Sequence, residues 1–167
     1  MNKRQKAILI EIITIVVITI IAIVVMLNLR YYVNRREAEM AMTILGNRIR
    51  QYRVENGLVP PQYWADRQKE NLPGEIRLGE FHYRARWIDL ESAPDEILAY
   101  TEQEFRSLFF KDGFFVLRLK EVLPPYRGTS DEGQETRDVH IEWMETEEFK
   151  ATLARQQSPM EIESHIR

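Results

Sequence analysis

Residues 7–29 read A-I-L-I-E-I-I-T-I-V-V-I-T-I-I-A-I-V-V-M-L-N-L. About 20 apolar residues in a helix match the roughly 30 Å hydrocarbon core of a bilayer, so Ala7 to Leu29 reads as a membrane span. Glu11 breaks the run about one turn in, where a carboxylate costs a few kcal/mol unless it is neutralised or paired. A secretory signal peptide has a shorter apolar core, about 7 to 15 residues, and ends at a small-residue cleavage site. Met26-Leu27-Asn28-Leu29-Arg30 offers no such site.

Upstream, the leader Met1 to Lys6 carries Lys3, Arg4 and Lys6. Downstream stand Arg30, Arg35 and Arg36, so the positive-inside comparison is nearly balanced; the dilution of this second cluster by Glu37 and Glu39 and the folded domain after it favour a cytoplasmic N-terminus. Of 167 residues about 135 remain for water, enough for one modest domain. The chain totals are 23 basic and 26 acidic residues; removing the three and the one that precede Arg30 leaves 20 against 25. A mildly acidic soluble part argues against nucleic acid as a partner. With no cysteine, disulfides, thiol catalysis and cysteine metal sites are excluded.

Tyr31 and Tyr32 stand where an aromatic belt meets the headgroups. Beyond them Ala38, Ala41, Met42, Leu45, Ile49 and Tyr52 recur at intervals of three and four, opposite Arg36, Glu39, Asn47, Arg50 and their neighbours. The span thus continues as an amphipathic helix whose stripe packs on a sheet, until Asn56-Gly57 and Pro60-Pro61 stop it. Leu58 to Gly79 reads as loop, with Tyr63 and Trp64 as packing points. Strands are expected over Phe81 to Trp87, with Arg84 and Arg86 on the wet face, over Ile97 to Thr101, and over Phe114 to Val122 after the Asp112-Gly113 turn. Glu102 to Lys111 fits helix or strand. Pro124 to Thr136 reads as a surface loop, Arg137 to Met144 as a last strand, and Thr146 as the cap of a short helix in which Phe149 and Leu153 meet. From Gln156 the tail is polar and expected to fray.

Leu9-Ile10-Glu11-Ile12, after basic residues and before an unbroken apolar run, resembles the N-terminus of type IV pilins and type II secretion pseudopilins. In that family a Gly, an aromatic and a Thr precede Leu-Ile-Glu, and a peptidase cuts after the Gly. The resemblance implies that Glu11 pairs with the free amino terminus of a neighbouring subunit during assembly. Tyr52-Arg53-Val54-Glu55-Asn56-Gly57, running into Pro60, is similar to the Tyr-x-x-x-Asn-Gly-x-x-Pro end of the pseudopilin helix. Val139-His140-Ile141-Glu142-Trp143-Met144 followed by Glu147-Glu148-Phe149 resembles the last strand and helix of pilin-like proteins common in planctomycete-type bacteria, and Ile97-Leu98-Ala99-Tyr100 another strand of that group. Lys6 and Ala7 stand where the family has the Gly and the aromatic.

The expected fold is α+β: a long N-terminal helix, its first half transmembrane, packed on a small antiparallel sheet. The expected organisation is a cytoplasmic leader over 1–6, a span over 7–29, a pilin-like periplasmic domain over 30–155 and a flexible tail over 156–167. The resemblance implies a structural subunit at the bacterial inner membrane, with lipid, other pilin-like subunits and a prepilin peptidase as partners, no cofactor and no catalysis. Its candidate assembly residues are Glu11, Lys6, Ala7, Leu9 and Ile10. The alternative is an uncleaved, membrane-tethered interaction domain whose Glu11 is protonated or snorkels to the headgroups. Some pseudopilins hold calcium in a C-terminal loop, and Asp131, Glu132 and Glu135 are the residues here that could do so, although a solvated loop is the simpler reading. His82, His140 and His165 lack metal-ligand spacing, and His140 with Glu142 on one strand face is the sole hint of acid–base chemistry.

Overall fold

The computed structural model describes residues 3–72, 80–88, 95–107, 110–120 and 139–165. Helix α1 (Lys3–Asn56) is unbroken for 54 residues, about 80 Å at the helical rise. Its two halves have opposite environments. The apolar first half is exposed, whereas Ala38, Ala41, Met42, Leu45 and Ile49 are fully buried. The three-and-four spacing carries these five residues to one stripe, and that stripe lies on the sheet. At Gly46 a β-carbon would stand 3.3 Å from Ile141 and 3.4 Å from Leu117, so the missing side chain lets the helix approach the strands closely. The helix stops as its sequence requires: Gly57 takes φ 71°, and its N–H donates to the Arg53 carbonyl at 2.8 Å.

The sheet is an antiparallel meander, β1 (Phe81–Tyr83), β2 (Glu96–Thr101), β3 (Gly113–Leu119) and β4 (Val139–Glu145), in that spatial order. Full register joins β3 to β4, from Gly113 opposite Glu145 to Leu119 opposite Val139. One face of the sheet, including Phe115, Leu117 and Leu119, meets α1. The other, with Ile97, Phe114, Val116 and Met144, is covered by Phe149 and Leu153 of helix α3 (Thr146–Gln156). Burial on both faces explains why β3 reads as a nearly continuous apolar run, F-F-V-L-R-L, after Gly113. The α+β architecture is therefore three layers deep, helix on sheet on helix.

Several expectations change. Helix α2 (Gln62–Lys69) occupies part of the expected 58–79 loop; it starts after Pro61, buries Ala65 and sets Trp64 against Tyr52 at 5.3 Å between ring centroids. Tyr63 points away and is exposed, because a two-turn helix lying on α1 can cover only one side. Strand β1 ends at Tyr83, where the backbone bends at Arg84 and continues as a 3-10 turn over Ala85–Trp87. Between Glu102 and Lys111 the described residues form neither helix nor regular strand, only a bridge pairing Phe105 with Gly113. Thr146 does not cap α3: it is the first helical residue, its N–H donates to the Asp112 carbonyl, and its hydroxyl donates to Glu104 Oε1 at 2.6 Å. Pro124 to Thr136 lies outside the described residues.

The largest departures are Arg84 and the tail. Arg84 is fully buried instead of facing water. Its guanidinium donates to both carboxylate oxygens of Glu161 at 2.6 and 2.9 Å and to the Ile97 carbonyl at 2.7 Å, and it lies 3.5 Å from Glu96. Glu161 belongs to helix α4 (Pro159–His165), inside the segment expected to fray, and is itself fully buried. The tail is thus folded back onto the second face of the sheet and held by a charge-assisted bidentate pair.

Candidate functional site

No residue from 7 to 29 is buried by its own chain, whose domain approaches only the last turn at Leu27 and Asn28, and the helix is long and apolar enough to cross a membrane. The polar side chains within it show how the run tolerates an apolar surround. The Thr14 and Thr19 hydroxyls donate to the carbonyls of Ile10 and Ile15 at 2.8 Å, and the Asn28 amide donates to Val24 at 2.9 Å. Each side chain satisfies a donor one turn back, and the two threonine hydroxyls need no water for theirs. An ionised Glu11 has no donor and cannot use this device.

Glu11 is exposed, and among the described residues it has no ion-pair partner. At about 100° per residue, Ala7 lies over Glu11 one turn nearer the N-terminus and Arg4 shares its stripe two turns away. Lys6 points about 140° around the helix, so the structure does not bring Lys6 to Glu11 of the same chain. Leu9 and Ile10 are likewise exposed, 46% and 63%. The five assembly candidates are therefore all accessible at one end of the rod, and only Ala7 stacks with Glu11 on one face. Any cation that neutralises Glu11 at close range comes from outside this helix.

Where the helix leaves the apolar run, the domain closes around it. Arg35 turns inward, its guanidinium 3.9 Å from the Trp143 ring centroid, which removes it from the juxtamembrane cluster of free cations. Arg36 bonds Tyr32 and pairs with Glu39 at 3.2 Å; the Tyr32 hydroxyl and the Glu39 charge both raise its pKa. Tyr31 stacks on Phe110 from the β2–β3 connection. Beside them Glu104, held below the usual carboxylate range by its bonds from Thr146 and Arg106, ties that connection to the start of α3. No signal in the helix pattern marks this collar, because it depends on where a distant loop lands.

Among the described residues no group of three His, Asp or Glu side chains could hold a metal ion. Asp131, Glu132 and Glu135 lie outside the described residues. Glu142 is engaged by Arg118 on the neighbouring strand, and His140, opposite Arg118 in the register, is exposed. His82 lies 3.8 Å from Glu102 at the sheet edge. None of these places an acid and a base around a common cavity. No family model, curated protein or solved structure matches this chain.

Proposed function

We propose that this chain is a pseudopilin-like structural subunit that assembles, through the uncovered half of α1, into a short filament of a type II secretion or related pilus-like system. The carrying observation is one continuous helix whose distal half is sealed on a sheet while its proximal half is bare and bears a single carboxylate, Glu11. An uncovered apolar rod is stable in lipid or against copies of itself, and a carboxylate in that setting calls for a cation from a neighbour. The likeness of Leu9-Ile10-Glu11 and of the Asn56-Gly57 helix end to the pilin pattern supports the same reading. In it the N-terminus faces the cytoplasm, the domain lies in the periplasm at the bacterial inner membrane, and a prepilin peptidase and other pilin-like subunits are the partners. The domain's role is structural, not catalytic, and its acidic balance does not suit nucleic acid.

Lys6 in the place of the family's Gly supports a second reading, an uncleaved tether that presents the domain without polymerising. Intact mass of the membrane-extracted protein separates the two, since loss of the first six or seven residues is expected for a processed subunit and a retained Met1 for a tether. Cross-linking in membranes then tests Glu11: Glu11→Ala is expected to weaken association about ten-fold, the equivalent of about 1.4 kcal/mol, and so to lower the oligomer yield. Equal yields from parent and variant would remove Glu11 from assembly.

A further inference from the structure

We propose that the described residues of the β2–β3 connection, 102–107 and 110–112, form a membrane-interface foot, seated among lipid headgroups beside the point where α1 emerges. This inference rests on residues 7–29 lying in a bilayer. Leu27 and Asn28, the last turn of the apolar run, line one shallow cleft with Tyr31, Arg106 and Ser107. The connection therefore reaches down to a helix level that belongs to the span. Tyr31 is about 3 Å along the axis from Leu29, whereas the polar layer on each side of a bilayer is roughly 5–7 Å thick. Whatever stacks on Tyr31 is inside that layer, and Phe110 does so with ring centroids 6.3 Å apart and planes 9° from parallel.

The chemistry of the connection suits that depth. Phe110 is 62% exposed although the domain has two apolar cores that could have taken it. With Tyr31 and Tyr32 it forms an aromatic group at one level, the residue class that favours the interface. The adjoining charges are internally paired, Arg106 with Glu104 at 2.6 Å and Lys111 with Glu145 at 2.8 Å. Paired charges can enter a headgroup layer without requiring anionic lipid, so the occupant of this surface is an ordinary zwitterionic bilayer. Two points of attachment, the span and the foot, fix the rotation of the domain about α1. An isolated subunit in the membrane then presents one constant side to its neighbours.

The chain contains no cysteine, so single cysteines carry a nitroxide at chosen sites of the full protein. In phosphatidylcholine nanodiscs, labels at Ile18→Cys, Arg106→Cys, Phe110→Cys and Val54→Cys report collision with oxygen, which favours lipid, and with a nickel chelate confined to water. Val54 is exposed at the far end of the helix and supplies the aqueous reference. Nickel collision at 106 and 110 is expected to be at least about two-fold lower than at 54, with 18 the most protected. If 18 is protected while 106 or 110 matches 54, the foot is refuted and the span stands. If 18 matches 54, the span reading fails and takes the foot with it.

Discussion

Arg84 and Glu161 are 77 residues apart and both fully buried, and their bidentate contact, with Glu96 and the Ile97 and Gln156 carbonyls also around the guanidinium, makes the buried charges tolerable. Removing the guanidinium takes a cation from two buried carboxylates, Glu161 and Glu96, and Arg84→Met is expected to destabilise the domain by about 3–5 kcal/mol, seen as a melting temperature lower by more than about 10 °C. Glu161→Leu in that background is expected to recover part of the loss, because two apolar groups in place of a buried pair are often close to neutral. Additive losses in the cycle would mean that the two residues act separately. Neither residue was legible as core. Alternation along Phe81-His82-Tyr83-Arg84 sorts side chains to two faces, but the period does not report that a second layer covers the supposedly wet one. A signal for the tail was present in Ser158-Pro159-Met160-Glu161, a helix start with proline at the first position and glutamate at the third. The Ser158 hydroxyl accepts from the Glu161 N–H at 3.2 Å, while the Glu161 carboxylate turns to Arg84.

At the scale of elements, α1 and β3 account for why most of the fold could be read from residue spacing. A five-residue stripe at helical intervals has one geometric solution, and Ala38 to Ile49 adopt it. Strand ends were harder, because the backbone turns at Arg84 directly after its N–H donates to the Leu98 carbonyl, and among the described residues the β2–β3 connection pairs through one bridge, Phe105 with Gly113. Gly46 sets the distance between the two largest layers. It is in the interior of a helix, where glycine costs about 1 kcal/mol relative to alanine, and the contact it permits with Ile141, Leu117 and Val139 offsets that cost. Gly46→Leu is expected to overpack this contact and lower stability by about 1–3 kcal/mol in denaturant melts, despite leucine's better helix propensity. A variant as stable as the parent would show that the helix can lift from the sheet at little cost. Glu11 was the part of the candidate site that the chain order disclosed, since a lone acid in an apolar run needs no tertiary information to be noticed. The collar around Tyr31 depends on a contact with Phe110, 79 residues on, and periodicity carries no such pairing.

For the molecule as a whole, the division of α1 into a sealed and a bare half separates folding from assembly. Of the two apolar cores, only the one between helix and sheet draws on α1, from Tyr31 onward, and its fully buried stripe begins at Ala38; the other uses no residue of α1. Residues 3–29 therefore add nothing to either buried core, although Leu27 and Asn28 border the β2–β3 connection, and the chemistry of Glu11 is free to serve contacts outside the domain. A chain beginning at Arg30 is expected to fold with a melting temperature within a few degrees of the full protein in detergent, and to sediment as a monomer. The first ten or so residues of its helix extend past the sealed stripe and fray first, since an exposed helix of that length is marginal without tertiary support. A chain beginning at Gly46 loses Ala38, Ala41, Met42 and Leu45 from under the sheet and is expected not to fold, by circular dichroism and by loss of a cooperative melt. If the Arg30 chain were instead unfolded, the membrane half would be a structural part of the domain. If it formed stable oligomers, the sheet and not the bare helix would carry the principal contacts between subunits. A folded monomer is required by both the proposed filament subunit and the proposed tether, and it leaves the apolar rod, with Glu11 as its one charged site between Ala7 and Leu29, as the element available for lipid or for another copy.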